Sequence, residues 1–316
     1  MRIKSFAKIN LGLEVLGLRS DGYHDIRTLF QWISLHDVLT IEEIPGPDVD
    51  LAGDDPEVPW DGTNLIARAA RALQERTGVR RGAGIRVEKR IPSGRGLAGG
   101  SGDAAMTLLG LNALWDLGLG PADLDDLGRA LGADVPYFFR GGLCLGEGIG
   151  DVLTPLPELD RRFLVLALPD FPVPTPLIYR ALDEPGASLT SRPKDSRMCR
   201  FFETGEIAPL GNDLEAAIFR FYPQLQEIKR FFQARGAELS LVTGSGSAVY
   251  GLFRDRGAAQ ECLAAATGIG RCLLLETVTR EQGWPDIEAG VSPSGKAAGF
   301  GPAIRGFESS RPRTRR

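Results

Sequence analysis

The pattern of apolar and polar positions over the first 90 residues predicts a region built mainly of β-strands. Runs with loose apolar–polar alternation predict strands over residues 7–18, 26–35, 37–44 and 85–89. The first two runs are separated by Arg-Ser-Asp-Gly, whose composition is typical of a turn. One helix interrupts the region. Asn64 is a favoured N-cap and Gly78 a favoured stop, so we expect this helix over 65–77.

A glycine-rich segment, followed by a helical pattern, comes next. Residues 92–103 have the sequence Pro-Ser-Gly-Arg-Gly-Leu-Ala-Gly-Gly-Ser-Gly-Asp. Apolar positions then recur with a helical period, at Ala104, Ala105, Leu108, Leu111 and Trp115. Ser101 is the natural N-cap for this helix, because serine side chains accept hydrogen bonds from the first turn. A second helix is predicted over 124–131, and a strand with a tight turn over 141–150.

The second half of the chain mixes strands and helices. Strands are predicted over 163–168, 239–242, 248–253 and 272–277, and helices over 177–182, 213–235 (with a break at Pro223) and 258–266. The run at 163–168 marks the start of a second domain. This mixture predicts an α+β protein with two domains. We place them at residues 1–155 and 156–283, and expect the Gly-, Ser-, Pro- and Arg-rich residues 284–316 to be a disordered basic tail.

Composition and charge argue against a membrane protein and against a nucleic-acid-binding protein. With 43% hydrophobic and 25% charged residues the chain has a globular composition, and its formal net charge is −4. No apolar run approaches the roughly 20 residues that span a bilayer, and there is no signal region, so we expect a cytoplasmic protein. The arginines of the tail leave a nucleic-acid role open, but a solvated tail is the favoured interpretation. Four scattered cysteines and two histidines form no zinc motif.

The segment 92–103 predicts a phosphate-binding loop. Its five glycines allow the backbone to approach a ligand closely, and the N–H groups at the start of the following helix favour an anion such as a di- or triphosphate. The segment contains Gly-x-Gly-x-x-Gly, but the second strand and acidic residue of a dinucleotide fold do not follow it. A near match to a P-loop at 290–297 lacks the magnesium-binding hydroxyl and flanking elements, and we interpret it as chance.

Three segments, in this order, resemble the GHMP kinase superfamily: Lys8-Ile9-Asn10-Leu11, the loop at 92–105, and Thr243-Gly244-Ser245-Gly246. Five segments resemble, within it, the family of 4-diphosphocytidyl-2-C-methyl-D-erythritol kinases: Ala7-Lys8-Ile9-Asn10-Leu11, Asp21-Gly22-Tyr23-His24, Leu131-Gly132-Ala133-Asp134-Val135-Pro136, Gly148-Ile149-Gly150-Asp151 and Pro174-Thr175-Pro176. The resemblance implies a ribosomal-protein-S5-like N-terminal domain and a ferredoxin-like C-terminal domain, with the active site in the cleft between them. It also implies ATP-dependent phosphorylation of the substrate's 2-hydroxyl, in the methylerythritol phosphate route to isoprenoid precursors.

The resemblance also implies roles for individual residues. Asp134 would be the general base and Lys8 its catalytic partner, and we expect the Val135-Pro136 step beside the base to be extended. ATP would be bound by Pro92, Gly94, Gly96, Leu97, Gly99, Gly100, Ser101 and Gly102, with Ser101 also reaching Mg²⁺. The substrate would be bound by Asn10, Tyr23, His24, Thr175 and Tyr179, and the turn Thr243, Gly244, Ser245 and Gly246 would face the cleft. No partner beyond the small-molecule substrate is implied, and we expect a monomer or a weak homodimer.

The glycine-rich segment departs from the usual pattern of this family. Arg95 and Ala98 stand where glycine is usual, Gly102 where a second serine is common, and Asp103 where asparagine is common. Loss of one hydroxyl from the anion site costs about 1 kcal/mol as a single hydrogen bond. These departures leave ATP affinity and metal dependence open.

Two other functions remain open at this point. The resemblance implies that Tyr23 and His24 hold the cytosine of the substrate. Another superfamily member, acting on a sugar, homoserine or mevalonate, is therefore disfavoured, because its substrate has no cytosine. A non-catalytic ligand-sensing protein on the same scaffold is disfavoured because both Lys8 and Asp134 are retained.

Overall fold

The structure is a computed structural model that describes residues 1–184 and 197–284. Of the tail predicted at 284–316, residues 285–316, including the P-loop-like segment, lie outside the described residues. Within the described ranges, no helix combines the length and the apolar character needed to cross a membrane. The predicted domain boundaries stay a prediction.

The first half of the chain forms a six-stranded sheet with helices packed against it. Its strands are β1 (Arg2–Leu18), β2 (His24–Ile44), β3 (Val49–Gly53), β4 (Gly82–Glu88), β5 (Leu143–Glu147) and β6 (Val152–Pro155). They follow the order β3-β4-β2-β5-β6, with β1 also paired to β2; β3 and β4 are parallel and the other pairs antiparallel. The associated helices are α1 (Leu65–Thr77), α2 (Gly99–Leu114), α3 (Pro121–Leu131) and a 3-10 helix (Val135–Phe139).

The second half forms a four-stranded antiparallel sheet. Its strands are β7 (Phe163–Leu168), β8 (Leu239–Val242), β9 (Val249–Phe253) and β10 (Arg271–Glu276), in the order β10-β7-β9-β8. The helices are α4 (Thr175–Leu182), α5 (Arg197–Thr204), α6 (Glu215–Phe221), α7 (Pro223–Ala234), α8 (Arg256–Ala265) and α9 (Arg280–Gly283). The order β-α-β-β-α-β is ferredoxin-like, as expected, and the two-domain α+β prediction is confirmed.

The two halves share an apolar core, which fixes their relative position. Ile9, Leu11 and Leu29 of the first sheet pack with Leu166 and Tyr250 of the second, and all five are fully buried. Burial of this much apolar surface makes the interface resemble a domain interior more than a transient contact. The walls of the cleft between the halves are therefore held in a defined arrangement.

Several local predictions are confirmed. Asn64 caps α1, its side chain accepting a hydrogen bond from Ile66 N, and Gly78 ends the helix in the left-handed conformation. Strand β7 has the predicted bounds. The predicted break at Pro223 separates α6 from α7, because proline cannot continue the hydrogen bonding of the preceding helix.

Three local predictions are wrong. The two strands expected over 26–35 and 37–44 are one strand, because His36 between them and the buried Asp37 remain paired with Phe6 and Ser5 of β1. Helix α2 begins at Gly99, with Ala98 as N-cap in the left-handed conformation (φ 54°), so Ser101 is inside the helix and does not cap it.

The third concerns the segment after Asp134, which is helical where we expected it extended. Val135 begins the 3-10 helix and Asp134 has helical backbone angles (φ −79°, ψ −17°). Pro136 is tolerated in this first turn, where its missing N–H would have no partner, and the buried Tyr137 and Phe138 hold the turn against the core.

Candidate active site

A cleft of about 780 Å³ lies between the two halves of the molecule. Its walls are the glycine-rich loop, the first residues of α2, the middle of β1, the turn before β2, the N-terminal end of α4 and the turn between β8 and β9. Among the residues predicted for the site, those that line it are Lys8, Asn10, Tyr23, His24, Pro92, Gly94, Gly96, Gly99, Gly100, Ser101, Asp134, Thr175, Tyr179, Gly244, Ser245 and Gly246. The fold therefore gathers segments that are far apart in the sequence around one cavity.

Three predicted residues lie behind the surface of this cleft. Leu97, Gly102 and Thr243 are buried and do not line it. Leu97 packs in the core shared by the two halves, and a Cβ at Gly102 would lie 2.8 Å from Ser5 Oγ. These positions support the walls of the cleft from within.

The glycine-rich loop contacts the second half of the molecule at Gly96. This residue has a φ of 77°, and a Cβ placed on it would lie 2.1 Å from the carbonyl oxygen of Thr243. Beside it, Ala248 N donates to Arg95 O (3.2 Å) and Lys8 N donates to Leu97 O (3.1 Å). Only glycine fits such a conformation and such a close approach without distortion.

A buried polar network joins β1 to the turn after β8. Lys8 is 4% exposed, and its ammonium group donates to Asn10 Oδ1 at 2.7 Å. Asn10 N donates to the hydroxyl of Thr243 (3.1 Å), and that hydroxyl lies 3.2 Å from both Asn10 Oδ1 and Gly96 O. Because buried polar groups are costly when unpaired, this network holds the lysine in a single position.

Lys8 and Asp134 form the charged centre of the cleft. Burial lowers the pKa of the Lys8 ammonium below its usual value, and the negative charge of Asp134 opposes that shift. The ring of Phe30 lies below the ammonium, 5.4 Å from it. In a cleft that is partly shielded from water, an ammonium group can neutralise developing negative charge, and a carboxylate can accept a proton.

Aromatic and polar side chains surround the other end of the cleft. Tyr23 is 62% exposed, whereas His24 is buried, with its ring 5.1 Å from that of Tyr179. Burial and the charge of Asp134 raise the pKa of Tyr179 to about 12, so its hydroxyl stays protonated. The hydroxyls of Thr175 and Ser245, both in the second half of the molecule, are 2.7 Å apart in the wall of the cleft. Flat apolar rings with nearby donors and acceptors can bind a nucleobase.

Sequence analysis missed two charged residues of this end. Asp183, the residue at the C-terminal end of α4, contacts His24 Nε2 through Oδ1 at 2.9 Å, and Arg180 also lines the cleft. Asp183 lies four residues after the predicted Tyr179, and this helical spacing is a signal that could have indicated it. Arg180 directly follows Tyr179, and its spacing gives no such signal.

The residues present fit a magnesium ion that is held chiefly by a nucleotide. In the described part of the chain no group of three His, Cys, Asp or Glu side chains could hold a metal by itself. The cleft does offer oxygen atoms from Ser101 and Asp134. Mg²⁺ is commonly bound through phosphates, water and one or two protein oxygens, so this donor set is sufficient.

Comparisons with known proteins agree with this geometry. Residues 64–142 match the GHMP kinases N terminal domain and residues 201–270 match GHMP kinases C terminal. The chain is 44% identical over 261 residues to the 4-diphosphocytidyl-2-C-methyl-D-erythritol kinase of Moorella thermoacetica, covering 81% of this chain and 90% of that protein. It is 40% identical over 290 residues to the enzyme of the same name from Gloeobacter violaceus, covering 90% and 95%.

Solved structures extend the agreement. A crystal structure of 4-(cytidine 5'-diphospho)-2C-methyl-D-erythritol kinase matches with a TM-score of 0.75 at 38% identity, covering 88% of this chain and 99% of that one. The mevalonate kinase of Methanococcus jannaschii matches with a TM-score of 0.66 at 14% identity, covering 88% and 98%, which shows a shared fold only. The chain is thus a member of the GHMP kinase superfamily and belongs, within it, to the family of 4-diphosphocytidyl-2-C-methyl-D-erythritol kinases.

Proposed function

We propose that this protein transfers the γ-phosphoryl group of ATP to the 2-hydroxyl of 4-diphosphocytidyl-2-C-methyl-D-erythritol. The products are ADP and the 2-phosphate, in the methylerythritol phosphate route to isoprenoid precursors. The observation that carries the proposal is a single cleft with a glycine-rich loop, the Lys8–Asp134 pair and an aromatic end. Relatives 37–44% identical to this chain carry the name of this kinase.

The chemistry follows from the positions of Lys8 and Asp134. The substrate hydroxyl oxygen attacks the γ-phosphorus while the bond from that phosphorus to the bridging oxygen of ADP breaks. Asp134 accepts the hydroxyl proton, and Lys8 stabilises the negative charge on the transferring group. Burial of the ammonium strengthens this interaction, because water screens it less.

The glycine-rich loop and the start of α2 bind the phosphates of ATP. Gly94, Gly96, Gly99 and Gly100 allow close approach of the backbone, and the N–H groups of the first helical turn favour anions. Ser101 would hold Mg²⁺ together with the nucleotide phosphates, and the ion would supply charge neutralisation there. Positioning and charge together account for most of the rate in phosphoryl transfer.

The aromatic end binds the cytosine of the substrate. Tyr23 and Tyr179 offer rings for stacking, and His24 offers a hydrogen-bonding edge. Asn10 and Thr175 contact the remainder of the substrate, beside the turn at Gly244 to Gly246. A cytoplasmic location, a monomer or weak homodimer, and the absence of nucleic-acid binding complete the proposal.

The experiment is a measurement of ADP release by purified protein with ATP, magnesium and 4-diphosphocytidyl-2-C-methyl-D-erythritol. We expect substrate-dependent release that collapses in Asp134→Asn and persists in Asp126→Asn, a matched change of an exposed carboxylate on α3. Homoserine and mevalonate serve as competing acceptors. Faster release with either of them would refute the proposed substrate, and equal release in Asp134→Asn would refute the proposed base.

A further inference from the structure

A buried charge cluster lies directly behind the glycine-rich loop, and the mechanism above does not use it. Lys89 Nζ lies 2.5 Å from Asp37 Oδ2 and 2.8 Å from Asp103 Oδ2. The three side chains are 5%, 0% and 2% exposed, respectively. Ionised groups are seldom buried at such a cost unless they hold a specific arrangement, so the position of this cluster needs a functional or structural reason.

The cluster contacts both ends of the loop. On the N-terminal side, Asp37 Oδ1 accepts hydrogen bonds from the backbone N–H groups of Arg90 (2.5 Å) and Ile91 (2.9 Å), immediately before the loop. On the C-terminal side, Asp103 belongs to the second turn of α2, whose first turn forms the other end of the loop. The ammonium group of Lys89 therefore connects the strand that leads into the loop with the helix that leaves it.

The helix start also lies against the same carboxylate. A Cβ on Gly99, the first residue of α2, would lie 3.4 Å from Asp37 Oδ2 and 2.8 Å from Ile91 Cγ2. The Lys89 ammonium stays charged: burial works to lower its pKa, but the charges of Asp103 and Asp37 outweigh that effect and raise it. The connection is thus ionic, and its geometry is restricted by close packing on both sides.

We propose that Lys89 is a positioning residue for nucleotide binding, which bridges Asp37 and Asp103 and so fixes the two ends of the glycine-rich loop at the separation that the phosphates require. The inference rests on the proposed function only in taking ATP as the nucleotide. Small displacements of phosphate-binding N–H groups are costly, since hydrogen bonds weaken steeply with poor geometry. The cytidine end of the cleft is formed by α4 and by the start of β2, thirteen residues before Asp37 on the same strand. Its residues belong to neither end of the glycine-rich loop.

The test compares affinities for ADP and for CDP, both measured by calorimetry on the folded full chain. Lys89→Met should weaken ADP binding by at least about tenfold, because a misplaced loop loses several contacts together, and should leave CDP affinity within about twofold. Arg162→Met is the matched control. It breaks a mostly buried ion pair with Glu238 in the second half of the molecule (3.1 Å), and it should lower stability without changing the ratio of the two affinities.

A pair of substitutions at Asp103 keeps the proposal testable if Lys89→Met does not fold. Asp103→Asn retains an oxygen that can accept from Lys89, so ADP affinity should stay within about threefold of the original, whereas Asp103→Ala removes the bridge and should lose about tenfold. Equal losses in these two variants would overturn the bridging role, as would equal losses of ADP and CDP affinity in Lys89→Met, or no loss of either. If the acceptor proposed above is wrong, the unmodified protein will not turn it over, but the differences in ADP affinity will remain.

Discussion

Replacing Lys8 with methionine separates the contribution of this residue to catalysis from its contribution to stability. The lysine is 4% exposed, donates to Asn10 Oδ1 at 2.7 Å, and interacts electrostatically with Asp134 in the cleft. Methionine has a similar length and keeps the apolar stem within the core, but it removes the charge. Thr243 Oγ1, 3.2 Å from Asn10 Oδ1, remains as a donor to that oxygen.

The two expected effects differ in size and in sign. Removing a cation that stabilises transition-state charge typically costs about 10²–10³ in kcat, or about 3–4 kcal/mol. Stability should change little or increase, because burial lowers the pKa of Lys8, which means that the folded state disfavours the charged ammonium. The unfolded chain therefore binds this proton more tightly than the folded chain does. Charged Lys8 lowers the stability fully at a pH below its folded-state pKa, and the penalty disappears at a pH above its unfolded-state pKa. Methionine removes that penalty.

The assay combines substrate-dependent ADP release with denaturant unfolding at pH 8. Lys4→Met, an exposed lysine on the same strand, is the control and should alter neither quantity. We expect Lys8→Met to fold with an unfolding free energy equal to or above that of the original and to lose at least about 99% of kcat. Activity within about threefold of the original would refute the catalytic assignment, and a loss of several kcal/mol in stability would refute the reasoning about burial.

Three further predictions follow from distances and pKa shifts. Gly96→Ala should weaken ADP binding at least about tenfold, because its Cβ would lie 2.1 Å from Thr243 O. Gly118→Ala is the control: Gly118 has a similar φ but no neighbour within 4 Å, so this variant shows whether backbone strain alone weakens ADP binding. Tyr179→Ala should weaken CDP binding about tenfold, the loss of one stacked ring, and leave ADP binding unchanged; calorimetry with CDP decides, and an unaltered affinity would contradict the cytosine assignment. Burial raises the pKa of Asp103 to about 6, so protonation stabilises the folded state at low pH, and this contribution is lost as the pH rises from about 4 to 6. Denaturant unfolding should show that Asp103→Asn reduces the fall in unfolding free energy over this pH range, by at most about 3 kcal/mol. An unchanged dependence of the unfolding free energy on pH would assign the titration to another group.

Local features of the sequence determined much of the fold. Asn64 and Gly78 bound α1 because a cap and a left-handed stop act within a few residues, and the break at Pro223 results from one missing N–H group. The apolar run at 163–168 is long enough to predict a buried strand, and five glycines ahead of a helix predict a phosphate loop. Short motifs also indicated which segments would share a cleft.

Only the tertiary structure decided where the polar groups are buried and what pairs with them. Asp37 interrupts the apolar pattern, yet strand β2 continues without a break at this residue. It can do so because Lys89 and two backbone N–H groups from a distant segment donate hydrogen bonds to the buried carboxylate. Ser101 has the chemistry of a cap but is inside α2, because the loop enters the helix through Ala98 in a left-handed conformation. The close approach of Gly96 to Thr243 likewise joins residues that are far apart in the sequence. Such pairings depend on which distant groups meet once the two halves pack, and no local propensity contains that information.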